Sequence, residues 1–352
     1  MARAWEDKIR KVEPYTPGEQ PKDESVIKLN TNENPYGVSP EVKKMAESLE
    51  MDILRKYPDP KAEELVKALA DYHNVDESQV FVGVGSDDVL GMCFMTFFNS
   101  DKPILFPNIT YSFYPVWAEM MRIPFKTIEL KPDFTIDIND YKQDNGGIVI
   151  ANPNAPTAIY LDKAEIRSLL EANKDSIVIV DEAYIDFAED GASVLDLVDE
   201  FDNLIVVRTY SKSRSMAGLR IGYAISNKEI IKYLNDVKYS YNSYTMNYPS
   251  IKLGSAVIAD EDYFRSVLAK IKNTREWFVS QIKEMGYTVL PSSANFVFAS
   301  PKGISAKEVF EAAKANGIYF RYFNSPGIDN YLRITIGTDE EMERVVEFLK
   351  TL

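Results

Sequence analysis

From residue 79 the apolar positions fall into short runs separated by stretches with helical spacing. The runs at 79–82, 103–106, 125–130, 147–151, 176–180, 204–207 and 222–225 read as strands. The helices between them cover 87–98, a stretch ending near 121, and 163–173. Most of these strands are apolar at nearly every position rather than at alternate ones. Such strands are buried on both faces, as in a mostly parallel sheet covered by helices on each side. The expected fold class is therefore α/β.

The flanks differ. Residues 1–25 contain Pro14, Pro17, Gly18 and Pro21 and keep no sustained period, which predicts an arm lying over another surface. Residues 26–29 read as a short strand, and Asn30 to Gly37 is dense in turn formers. A helix is expected at 40–51 with Ser39 as N-cap. A second, at 62–73, has Leu65, Val66, Leu69 and Tyr72 on one face. Beyond residue 247 the spacing predicts one long helix over 249–285. Strands at 295–299, 318–321 and 332–336 and helices at 306–316 and 339–349 complete a smaller α+β unit. The expected organisation is an arm over 1–30, a large unit over 31–247 and a small unit over 248–352.

Composition then removes several chemistries. The chain has 352 residues, one Cys and one His. Cys93 lies in an apolar run and reads as a core residue. A single His and a single Cys exclude multi-His and thiolate metal sites, so no metal is expected. They also make a Ser-His-Asp triad improbable. The net charge of -14 argues against nucleic acid or an anionic membrane as partner. An anionic substrate would need a local cluster of arginines. No apolar run approaches bilayer length and residues 1–7 are polar, so a cytoplasmic location is expected.

What remains is Lys, Tyr, Asp, Arg or a cofactor. Five segments follow strands and can converge on one sheet edge, where α/β sheets bind ligands. Gly83-Val84-Gly85-Ser86-Asp87 opens a helix. It reads either as an anion site of backbone N–H groups or as simple capping by Ser86. Asn152-Pro153-Asn154-Ala155-Pro156-Thr157 is a turn that can present an amide. Asp181-Glu182-Ala183-Tyr184 carries a carboxylate out of an apolar strand, which is expensive to bury without a cation. Thr209-Tyr210-Ser211-Lys212, with Arg220 eight residues on, offers a nucleophilic amine beside phosphate partners. Arg321 and Arg333 can clamp an anion from the small unit.

As a set, these segments resemble the fold type I, class II pyridoxal-phosphate-dependent aminotransferases over essentially the whole chain. The matching motifs are Asn32-Glu33-Asn34-Pro35-Tyr36-Gly37, Arg55-Lys56-Tyr57-Pro58, Val84-Gly85-Ser86-Asp87-Asp88, Asp181-Glu182-Ala183-Tyr184, Ser211-Lys212 and Ala217-Gly218-Leu219-Arg220-Ile221-Gly222-Tyr223. The resemblance implies pyridoxal 5'-phosphate held covalently by Lys212, whose freed amine later moves a proton. It implies that Asp181 keeps the ring nitrogen protonated, Tyr184 donates to the ring oxygen and Tyr111 stacks on the ring. Ser86, Asp87, Ser211 and Arg220 would hold the phosphate. Tyr57 would reach the phosphate of a neighbouring subunit, which implies a homodimer. Tyr15, Asn34, Arg321 and Arg333 would bind the substrate anion. The implied activity is transamination between L-histidinol phosphate and 2-oxoglutarate. Aromatic amino acids as substrates, or decarboxylation of phosphorylated threonine, are the alternatives. The chain departs from the family pattern at Ala155, where an asparagine is usual, at Ala158, where glycine is usual, and at the polar run Ser213-Arg214-Ser215. Asn154 or Asn152 would then have to supply the missing amide, unless Tyr184 serves alone.

Overall fold

In chain order the elements are β1 (Ile27–Lys28), α1 (Pro40–Glu47), α2 (Glu63–His73), β2 (Val80–Gly83), α3 (Ser86–Phe97), β3 (Ile104–Pro107), α4 (Phe113–Met121), β4 (Phe125–Ile128) and β5 (Gly147–Ala151). There follow α5 (Lys163–Ala172), β6 (Val178–Asp181), β7 (Leu204–Thr209), β8 (Gly222–Ile225), α6 (Lys228–Tyr241), α7 (Tyr248–Ala259), α8 (Glu261–Glu284) and β9 (Thr288–Val289). The chain ends with β10 (Phe296–Ser300), α9 (Ala306–Ala315), β11 (Ile318–Tyr319), β12 (Arg321–Tyr322), β13 (Leu332–Thr335) and α10 (Asp339–Leu349). This computed structural model describes residues 3, 5–23 and 25–352. Met1, Ala2, Ala4 and Glu24, within the expected arm, lie outside the described residues.

The large sheet has the order β2-β8-β7-β6-β5-β3-β4. β8 is antiparallel to both of its neighbours, and the other pairings are parallel. Alternation along each strand explains the continuous apolar runs. Ile148, Ile150, Val178, Val180, Leu204 and Val206 pack with α2, α5 and α7 on one face. Val149, Ile179, Ile205 and Val207 pack with α3, α4 and α6 on the other. The result is a mostly parallel sheet covered by helices on both faces, as the sequence implies.

A second sheet, β12-β13-β10-β9, is antiparallel and packs with α8, α9 and α10. β1 pairs in parallel with β11, tying the segment before residue 30 to this C-terminal layer.

Three expectations change. The single helix over 249–285 is two helices, broken at Asp260 (φ -89, ψ 68), which is C-cap of α7 and N-cap of α8. Although α7 lies past the expected boundary at 247, its Ile251, Leu253, Val257 and Ile258 pack into the apolar cluster of the large sheet. The strand at 318–321 is two short strands serving different sheets. Finally, α6, which the sequence reading passes over, is an amphipathic helix capped by Asn227 with Ile230, Ile231 and Leu234 buried.

Candidate active site

The carboxyl ends of β2, β5, β6 and β7 meet the start of β8 on one edge of the large sheet. Gly222 stands opposite both Gly83 and Thr209, and Asp181 opposite both Ala151 and Val207. Four of the five sequence segments converge at this edge; the Arg321 and Arg333 pair does not line it. A cavity of about 180 Å³ opens there, lined by Ser86, Asp87, Tyr111, Asp181, Tyr184, Ser211, Lys212 and Arg220. Thr31, Glu33 and Ala155 also line it.

At one end, α3 begins without a side-chain cap. Gly85, at φ 87, is the N-cap residue, and Ser86 is the first helical residue rather than the cap. Asp88 turns back to accept from Val84 N at 2.9 Å, and Ser86 and Asp87, the first residues of the helix, line the cavity. Uncapped N–H groups at a helix start are a ready anion site. The geometry therefore favours the anion reading of this segment over capping by Ser86. Arg220 Nη1 lies 3.5 Å from Ser211 Oγ, and its Nη2 donates to Asp87 Oδ2 at 3.4 Å. Gly222 packs directly against the turn: a Cβ there would come within 2.3 Å of Gly85 C and Ser86 N.

At the other end Asp181 is buried, 5 % exposed. Strand parity decides its neighbours. It follows Ile179 on the face covered by α4, so Tyr114 Oη donates to its Oδ2 at 2.9 Å. Ala183 N donates to Oδ1 at 3.2 Å. Burial pushes its carboxyl up to about 6, against these two hydrogen bonds. The adjacent Glu182 is equally buried but pairs with Arg208 at 2.9 Å. Among the described residues, no cation pairs with Asp181. An ionised Asp181 thus lacks the counter-charge that Glu182 has.

Between these ends, Lys212 Nζ donates to Thr31 O at 3.1 Å and lies 5.8 Å from the centre of the Tyr184 ring. Tyr111 Oη donates to Asp87 at 2.9 Å. Tyr184 Oη accepts from Asn32 Nδ2 at 2.9 Å.

The remaining expected residues lie elsewhere. Arg333 and Arg321 stand opposite each other on β13 and β12. Arg333 is half-buried; its Nη2 donates to Asn30 O at 2.9 Å and its buried Nε has no partner. Burial and the neighbouring Arg321 pull its pKa down. Tyr15 stacks on Phe113 and, with Arg321 and Tyr111, borders a wider cavity of about 900 Å³ beside the site. Tyr57 is 82 % exposed, against Tyr244.

Two residues are corrected. Asn154 does not present its amide to the cavity: Nδ2 donates to Ile109 O and Thr157 Oγ1, and Oδ1 accepts from Thr110 Oγ1. Asn152 is likewise spent on Leu161. The Asn34 side chain is engaged by backbone groups: its Nδ2 donates to Lys212 O and Ser213 O and its Oδ1 accepts from Tyr36 N. It holds the backbone of the lysine loop.

Sequence reasoning missed Tyr114 and Asn32. The parity of β6 carried a signal for the first, because it turns Asp181 towards whichever helix covers that face.

The residues fit pyridoxal phosphate. An uncapped helix start suits its phosphate, and an uncompensated carboxylate suits its ring N–H.

The "Aminotransferase class I and II" family model matches residues 24–349. A histidinol-phosphate aminotransferase of Brachyspira hyodysenteriae is 51% identical over 344 residues, 98% of this chain and 97% of that protein. One of Clostridium beijerinckii is 47% identical over 350 residues, 99% of this chain and 97% of that protein. The solved structure of the histidinol-phosphate aminotransferase of Sinorhizobium meliloti, in complex with pyridoxal-5'-phosphate, superposes with a TM-score of 0.84 at 23% identity. It covers 92% of this chain and 91% of that one.

Proposed function

The chain belongs to the class I and II aminotransferases, and from that premise we propose that it exchanges an amino group between L-histidinol phosphate and 2-oxoglutarate in histidine biosynthesis. The observation that carries the substrate reading is Arg333. A half-buried guanidinium with one hydrogen bond and a buried, unpartnered Nε is costly unless an anion completes it. Among the described residues, no carboxylate pairs with it. Phosphate and carboxylate both match a guanidinium fork, so one site serves the phosphate of the donor and a carboxylate of the acceptor. The relatives' shared name supports this substrate over aromatic amino acids or decarboxylation.

When bound, pyridoxal phosphate supplies the aldehyde that takes up the amino group and a ring that accepts the electron pair released at Cα. The protein's part is positional and electrostatic. The Lys212 amine would hold the cofactor and, once freed, would accept the proton leaving the substrate's Cα. Asp181 keeps the ring nitrogen protonated through its carboxylate. Tyr184 aims its hydroxyl at the ring oxygen. The α3 amides, Ser211 and Arg220 hold the phosphate. Arg333 and Arg321, beside Tyr15, fix the substrate so that its Cα–H bond meets Lys212.

The same reading includes a homodimer in the cytoplasm. Tyr57, Tyr244, Met51 and Leu54 are all exposed, and such a cluster suits a covering second copy.

The test is the visible absorption spectrum of the purified, cofactor-loaded protein. L-Glutamate and L-histidinol phosphate, added separately, are each expected to discharge the visible band. Discharge by glutamate alone would leave an aminotransferase of another specificity.

A further inference from the structure

Residues 30–34 touch the catalytic groups in succession. Asn30 O accepts from Arg333, Thr31 O from Lys212 Nζ, and Asn34 holds the Lys212 backbone. Asn32 sits at the centre of this segment, 1 % exposed and at φ 56, a left-handed conformation that an ordinary side chain adopts rarely. Three bonds hold it there. Its backbone N donates to Thr335 Oγ1 at 3.0 Å, Thr335 Oγ1 donates back to its Oδ1 at 3.1 Å, and Asn295 Nδ2 donates to its carbonyl at 3.0 Å. With the carbonyl oxygen of the side chain engaged, the amide orientation is fixed. Its Nδ2 donates to Tyr184 Oη.

A phenol has one proton to give. Asn32 occupies the acceptor side of Tyr184 Oη, so the Tyr184 proton is left for a group in the cavity. Other amides nearby do not compete: Asn152 is bonded to Leu161, Asn154 to Ile109 and Thr157, and Ala155, which lines the cavity, offers no side-chain donor.

We infer that Asn32 is a positioning residue that aims the Tyr184 hydroxyl at the oxygen of the cofactor ring. This rests on the cofactor reading above. Tyr184 then stabilises negative charge on that oxygen more strongly than a freely rotating phenol does.

The readout is the pH midpoint of the bound cofactor's absorption band, which is independent of turnover. Weakening donation to an oxygen makes it more basic. Asn32→Ala is therefore expected to raise the midpoint by about half a pH unit or more. Tyr184→Phe should raise it further, and the double variant should match Tyr184→Phe alone, because Asn32 acts through the hydroxyl. Thr335→Val, which loosens Asn32 from outside the cavity, should give a smaller rise. An unchanged midpoint in an Asn32→Ala protein that melts like wild type would overturn the inference. So would a shift that persists in the double variant. If Asn32→Ala does not fold, Thr335→Val, which adds no charge, decides: its rise should vanish in the Tyr184→Phe background, and no rise, or one that persists there, overturns the inference. A wild-type protein with no band in pyridoxal phosphate would instead sink the cofactor reading itself.

Discussion

Two neighbouring carboxylates, Asp181 and Glu182, show how a single residue's surroundings assign its work. Both leave the end of β6 buried, yet Arg208 neutralises Glu182, while Asp181 has only two neutral donors. Burial raises the Asp181 carboxyl from 3.8 to about 6. An acid whose pKa is higher folded than unfolded favours the folded state at low pH, and that advantage is lost as pH rises from 3.8 through about 6. In the cofactor-free protein, Asp181→Asn removes this loss. It should raise stability at pH 8 by about 3 kcal/mol and change little at pH 4. Melting curves of the cofactor-free wild type and variant at the two pH values check it. The variant should also bind pyridoxal phosphate more weakly, since a neutral amide does not hold a ring N–H⁺. At this scale, residue type was legible where chemistry is specific. Lys212, Asp181, Tyr184 and Arg220 stand out from their segments and line one cavity. Orientation was not legible: Asn154 and Asn34 are amides of suitable type in suitable loops, spent on backbone groups that only the folded turn brings near.

Elements bring those residues together through close approach. The β8 strand runs against its neighbours, so its first residue, not its last, lies at the site. Gly222 occupies that position, pressed on the turn that opens α3. Gly222→Ala would push a methyl into Gly85 C and Ser86 N, both backbone, so the turn itself must move. The expected result is a cofactor dissociation constant raised tenfold or more, measured by titrating the cofactor-free protein. Melting should fall by no more than about 1–3 kcal/mol equivalent. An unchanged affinity would show that the α3 amides do not hold the phosphate. Strand positions were legible from the apolar runs because both faces of the large sheet are covered. Where helices follow without a turn signal, the pattern is silent. α7 joins α8 at Asp260 with no glycine or proline to mark the break. The short strands β11 and β12 take their identity from partners far away in sequence.

The whole molecule poses a different question, because Tyr57 does not reach its own cavity. It lies on the surface against Tyr244, near the exposed Met51 and Leu54. In the homodimer proposed above, each cavity would take its lysine from one copy and Tyr57 from the other. This arrangement makes a prediction that a monomeric site cannot satisfy. A Lys212→Ala protein lacks the amine in every site, and a Tyr57→Ala protein binds cofactor weakly in every site. In a mixed dimer, the subunit that keeps Lys212 receives an intact Tyr57 from its partner, so one of its two sites is complete. Random assortment makes half of the dimers mixed, so co-expressing the two variants should restore normal cofactor affinity and turnover to about a quarter of all sites. Titration of active sites at limiting pyridoxal phosphate measures that fraction. If Tyr57 served its own subunit, no mixing ratio would restore a tight, active site, because no polypeptide would carry both residues.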